Sequence, residues 1–97
     1  MEAFRFTWDI RKSDANLHKH GVSFDEAETV FADELAREFY DPSHSSLEED
    51  RFLLLGTSSK LRLLMICHCF RENDREVRII SARKATRTEA LFYTERE

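Results

Sequence analysis

LRLLMICHCF, residues 61–70, places apolar side chains at both odd and even positions over ten residues. A half-buried strand alternates, whereas one covered on both sides reads as a nearly continuous apolar run, so this segment is expected at the centre of a sheet. Upstream, Phe52–Leu55 is a second apolar run, which Gly56 and two serines are expected to stop. Before it, Ala36–Tyr40 reads as a short strand closed by Asp41-Pro42. Downstream, the polar RENDRE segment makes a hairpin turn into a strand at Val77–Ala82. Four consecutive strands with short connections favour an antiparallel meander.

The flanks read as helices. Phe4, Phe6 and Trp8 alternate as a half-buried strand, and Asp9 then takes the N-cap of a helix that Gly21 ends. Ser23 with Glu26 forms a capping-box signal, with Val22 and Ala27 in staple positions. Phe24, Ala27, Val30 and Phe31 make one apolar stripe. Thr86 with Glu89 repeats the signal before a last helix. The order β-α-α-β-β-β-β-α predicts an α+β domain, an antiparallel β-sheet with two N-terminal helices and one C-terminal helix packed on it.

The chain has 97 residues, enough for one domain over residues 1–97, and 41% of them are hydrophobic. No apolar run near the start suits a signal peptide or membrane span, and two free cysteines suit a reducing compartment, so a soluble cytoplasmic protein without a membrane partner is expected. The net charge of −4 hides a partition. Residues 1–24 carry +1, residues 25–50 carry −9, and residues 51–97 carry +4. The basic half can meet phosphate. The acidic stretch, with Glu26, Glu28 and Asp33, is either a solvated face or a surface that steers a basic partner.

Glycine-rich phosphate loops, GxSxG, HExxH and paired CxxC motifs are all absent, which removes the usual sequence support for nucleotide-dependent transfer, serine hydrolysis and zincin chemistry. Cys67-His68-Cys69 does not make a metal site. On a strand the two sulfurs share a face and His68 takes the other, so buried cysteines and a satisfied core histidine are expected. Lys19 and His20 fall in the last turn of the first helix, where cations complement the helix dipole; the alternative is that one reaches a phosphate. In RIISARKATR, alternation puts Arg78, Ile80 and Ala82 on one face and Ile79, Ser81 and Arg83 on the other. Arg83, with Lys84 and the N–H groups at Thr86, forms either an anion-binding corner or a structural ion pair.

Several segments together resemble the BrnT family of toxins: FTWDIRKSDANLHKHGVSFDEAETVFAD, DPSHS, EEDRFLLLG, the leucine-rich strand opening at Arg62, and RIISARKATRTEALFY. They run in the same order over nearly the whole chain. Asp50 stands where a second or third glutamate is common. The resemblance implies a RelE-like fold and a ribonuclease toxin of a type II toxin–antitoxin system. It also implies a ribbon-helix-helix antitoxin, BrnA-like, which binds the toxin and carries the contact with operator DNA. RNA would be cleaved by its own 2′-hydroxyl without a cofactor or metal. Such chemistry needs charge stabilisation at phosphorus and proton transfer. Arg83 and Arg78 suit the first need and Lys19, His20 or Tyr93 the second, though free lysine and tyrosine titrate near about 10. Arg51, Arg62 and Lys84 are the further RNA-binding residues. Competing readings are a binding module without catalysis and a homologue that has lost activity and acts only with its antitoxin in operon repression.

Overall fold

The computed structural model describes residues 4–95. The elements are β1 (Arg5–Thr7), α1 (Ile10–His20), α2 (Phe24–Thr29) with a 3-10 turn at Val30–Ala32, β2 (Arg37–Tyr40), β3 (Phe52–Thr57), β4 (Leu63–Arg71), β5 (Glu76–Lys84) and α3 (Arg87–Thr94). The five strands form one sheet in the order β1-β5-β4-β3-β2. β4 is its central strand, as its two-sided apolarity requires. The sheet is mixed and not wholly antiparallel. β2 to β5 make the expected meander, but β1 runs parallel to β5, pairing Arg5 with Glu76 and Thr7 with Arg78. The intervening helices and meander give β1 the long crossover that parallel pairing needs.

The helix ends follow local chemistry. Asp9 accepts the Arg11 N–H at 2.8 Å, and Gly21 ends α1 at φ 70°, where a side chain would be strained. Ser23 caps α2 through the Glu26 N–H at 3.0 Å, but the Glu26 side chain does not return to complete the box. It turns instead to Arg62 and Ser58. The Thr86–Glu89 box at α3 is complete.

Val22, Phe24, Ala27 and Val30 pack on Leu54, Leu64, Ile66, Ile79 and Ala82, so α1 and α2 cover one face of the sheet. Asn16 of α1 treats the sheet as a strand would. Its amide donates to the Ala82 carbonyl and accepts from the Ala82 N–H, at 2.8 and 3.1 Å. This closes part of the β5 edge that the short β1 leaves unpaired. β3 does not stop at Gly56 but runs through it, because a side chain there has no room: a Cβ would sit 2.8 Å from Val30 Cγ1 and 2.9 Å from Ala36 Cβ.

His68 is fully buried against Phe31, Phe52 and Phe70, with its nitrogens 3.1 Å from the Ile66 carbonyl and 3.0 Å from Glu38. It is the satisfied core histidine that was expected. Two members of the acidic stretch prove structural. Glu26 is buried in a pair with Arg62, and Asp33 accepts the Thr57 N–H at 2.8 Å and the Tyr93 hydroxyl at 2.7 Å. Burial raises the Glu26 carboxyl, but the Arg62 hydrogen bonds dominate and hold it below the usual range. Hydrogen bonding across 24 to 60 residues of chain, which no charge count reveals, removes these groups from the solvated face.

Candidate active site

The face away from α1 and α2 is assembled in rows across the strands. Register places Arg37, Leu55, Met65 and Arg83 in one row, and Phe39, Leu53, Cys67 and Ser81 in the next. Beyond these, Cys69 pairs with Arg78, and Arg71 with Glu76. The assignment of Arg78 to the face opposite Arg83 is therefore corrected. Cys67 pairs with Ser81 while His68 pairs with Ile79, so Ile80 is the extra residue of a β-bulge. One inserted residue reverses the alternation, and Arg78, Ser81 and Arg83 share this face.

The candidate residues differ in what already holds them. Arg83 binds Glu89 through both arms, each at 2.8 Å, which is the ion pair weighed against an anion site. Those hydrogen bonds outweigh burial and take the Glu89 carboxyl down to about 2. Tyr93 receives the Thr57 hydroxyl at 3.2 Å and donates to Asp33, so it ties α3 to the end of β3. Phe92 lies edge-on to Phe39, and its carbonyl accepts from Arg37 at 2.7 Å. α3 thus closes one end of this face. Arg62 lies on the other side of the sheet, held by Glu26 and by the Gly21 carbonyl.

Toward the other end, Arg51 donates to Glu49 at 3.0 Å, and the same carboxylate takes Arg71 at 3.1 Å. Arg51 outweighs burial at Glu49 and keeps that carboxyl low. Arg78 is half-buried, and among the described residues its guanidinium has neither ion pair nor hydrogen bond. Lys19 and His20 line a shallow cleft with Lys12, Asn16, Ile80 and Ser81, so α1 brings them to the open edge of β5 beside this face. Lys84 is exposed at the end of β5. Sequence reasoning missed Arg37 and Arg71. The pairing register finds both, because Arg71 sits two residues from buried Cys69 and Arg37 two residues from half-buried Phe39 on the same face.

Cys67 and Cys69 are buried beneath these arginines, and burial pushes both thiols up. A larger cleft lies between Phe4, Phe52, Phe70, Arg71 and the carboxylates of Glu48, Glu49, Asp50 and Asp74. Its acidic lining repels phosphate, so the arginine face is the better site for a polyanion despite its shallow shape. Among the described residues no helix is long and apolar enough to cross a membrane, and no group of three potential ligands is placed to hold a metal ion.

A mixed sheet covered by α1 and α2 on one side and carrying a row of arginines on the other defines a small α+β protein. The chain belongs to the BrnT family: residues 8–89 match the family described as the ribonuclease toxin, BrnT, of type II toxin-antitoxin systems. It is accordingly a ribonuclease toxin whose system supplies a protein antitoxin. The match includes every candidate above except Tyr93. The crystal structure of the Brucella abortus ribonuclease toxin BrnT is similar, with a TM-score of 0.63 and 21% identity, over 88% of this chain and 100% of that one. At that identity the likeness concerns the fold. Among curated proteins no sequence match was found.

Proposed function

We propose that the face carrying Arg51, Arg78 and Ser81 cleaves RNA by internal attack. The 2′-oxygen bonds to the adjacent phosphorus and the bond to the 5′-oxygen breaks, leaving a 2′,3′-cyclic phosphate and a 5′-hydroxyl. The nucleophile belongs to the substrate, so the protein has to orient the strand, move protons and neutralise charge that grows on phosphorus. Arginine suits the last task because its planar fork matches phosphate oxygens. The observation that carries this reading is Arg78, a half-buried arginine whose guanidinium has no hydrogen bond or ion pair among the described residues, on a face shared with Arg51 and flanked by Lys19 and His20. In this reading Lys19, His20 and Lys84 track the phosphate backbone, while Arg83 and Tyr93 hold α3 at the rim.

The family supports the wider setting. The fold is of the RelE type and acts as one domain in the cytoplasm. The antitoxin is a ribbon-helix-helix protein that covers the basic face and makes the contact with operator DNA. A defined RNA tests the chemistry. Cleavage should persist in EDTA, yield a cyclic phosphate end, and stop when the nucleotide at the cleaved bond is 2′-deoxy. Loss of activity in EDTA that Mg²⁺ restores overturns the metal-independent reading.

A further inference from the structure

The loop after β2 holds a carboxylate–imidazole pair beside the arginine face. Asp41 is 4% exposed. Its Oδ1 accepts the Ser43 hydroxyl at 2.8 Å, and its Oδ2 lies 2.7 Å from His44 Nδ1. Ser43 Oγ is also 3.1 Å from that nitrogen. The loop is pinned to β3, since the Asp41 N–H donates to the Arg51 carbonyl at 2.8 Å and the Arg51 N–H donates to Ser45 Oγ at 2.8 Å. Asp41 follows Phe39 by two residues, opposite Arg51, and its charge reaches Cys67 in the row before Cys69 and Arg78. Three strand spacings, about 14 Å, separate the backbones of Asp41 and Arg78, a span that one nucleotide and two long side chains can bridge.

Burial raises the Asp41 carboxyl, but the hydrogen bonds from Ser43 and His44 outweigh it and hold the group below its ordinary range. An ionised carboxylate only accepts, so neutral His44 must carry its proton on Nδ1 and turn the lone pair of Nε2 outward. The imidazole is 63% exposed, and Nε2 has no partner among the described residues. A buried acid fixing one ring nitrogen while the other faces solvent is the arrangement that orients a base.

We propose that His44 is the general base of RNA cleavage and that Asp41 is its positioning residue, which rests on the assignment of the arginine face to 2′-hydroxyl attack. Nε2 takes the 2′-hydroxyl proton as the bond from the 2′-oxygen to phosphorus forms. The bond to the 5′-oxygen breaks, and that oxygen takes a proton from water. Arg51 and Arg78 offset the phosphorane charge, and the Asp41 carboxylate stabilises the imidazolium.

Around the dyad, the titratable and charged groups are Asp41, Glu48, Glu49 and Asp50 in the same loop, Arg51 just before β3, and Cys67 on β4. Asp41 and Glu49 are held low and Cys67 is pushed up, so none of these supplies an acid limb near neutrality.

Single-turnover cleavage of a defined RNA by the full chain, followed against pH, tests the proposal. His44→Gln should lower kcat by about 10²–10⁴-fold with KM little changed, and should remove the fall in rate on the acid side. Added imidazole should restore part of the His44→Ala rate. Asp41→Asn should lower kcat with KM little changed, because the ring loses the carboxylate that fixes Nδ1 and aims Nε2. A folded His44→Gln protein that keeps the wild-type rate overturns the proposal. So does a slow one that keeps the acid limb, when His44→Ala shows no imidazole rescue; the dyad then only shapes the loop. An RNA with a 2′-deoxy nucleotide at the cleaved bond separates the two levels. If the wild type cleaves it, the 2′-hydroxyl reading fails whatever His44 does. If it is inert while His44→Gln stays fast, only the dyad falls.

Discussion

Arg62 and Arg78 are the same residue on opposite sides of one sheet, and folding treats them differently. Arg62 spends its guanidinium on Glu26 and on the carbonyl that ends α1. Glu26 is nearly inaccessible, so its charge has to be matched inside the protein. Arg78 has Cys69 as its partner in the register, and the Glu49 carboxylate beside that thiol is already held by Arg51 and Arg71. On the helix side the Arg62 charge is consumed in making the fold; on the other side, where Arg37, Arg51, Arg71 and Arg83 are engaged, the Arg78 charge is left for something outside the chain. The largest expected effect tests the first half of that contrast. Arg62→Ala strands the Glu26 carboxylate and should cost about 3–5 kcal/mol in urea unfolding. Cleavage per folded molecule should hardly change. A loss under about 1 kcal/mol means Glu26 finds water, and the contrast weakens.

The second half predicts the reverse pattern. Arg78→Ala should leave stability within about 0.5 kcal/mol, because among the described residues that guanidinium makes no hydrogen bond or ion pair. Its kcat should fall about 10²–10³-fold, worth about 2.7–4 kcal/mol, by analogy with removing one donor from an oxyanion site. Unfolding curves and single-turnover rates on the same preparation decide the matter. If both fall together, the uncovered face is as structural as the covered one.

Arg83 stands between these cases, on the uncovered face yet engaged by Glu89. The Glu89 carboxyl is held at about 2 against an ordinary 4.5. A carboxyl depressed on folding stabilises the native state fully above its unfolded value, and that contribution is lost as pH falls from about 4.5 toward 2. NMR should therefore show α3 loosening in that window, and Glu89→Gln should already be loose above it. Arg83→Ala should cost at most about 1 kcal/mol, since the pair is partly exposed. Should Arg83→Ala abolish cleavage while α3 stays docked, Arg83 is the phosphate-binding arginine that its position first suggested.

The legible parts of the sequence were those set by neighbours along the chain. Asp9, Gly21, Ser23 and Thr86 mark helix ends because each cap closes within two to four residues. The two-sided apolarity of residues 61–70 placed β4 at the centre, and opposite parity separated His68 from the cysteines. What stayed hidden depends on pairing at a distance. Ile79 and Ile80 are both apolar, so nothing in the pattern marks the bulge that brings Arg78 to the face of Arg83. The parallel pairing of β1 joins residues about 70 positions apart. The Asp41–His44 pair sits in a polar loop without periodicity, and only the coordinates reveal that its carboxylate is buried.

The smallest expected effect concerns the acidic stretch, which the structure splits in two. Glu26 and Asp33 hold the fold, whereas Asp25 and Glu34 are exposed and Glu28 is half-buried. Only the second group can act on an approaching partner. Charges at a rim change association rate and salt dependence more than dissociation, and their reach is about 10 Å at 0.1 M salt. Replacing Asp25, Glu28 and Glu34 with their amides should therefore slow antitoxin association by no more than about tenfold at low salt. It should also flatten the salt dependence, with cleavage and stability kept. Glu26→Gln, by contrast, should lower stability. Stopped-flow binding at two ionic strengths separates the outcomes. If the triple variant associates at the wild-type rate at both salts, this rim is merely solvated, and steering comes from the arginine face on the far side of the sheet.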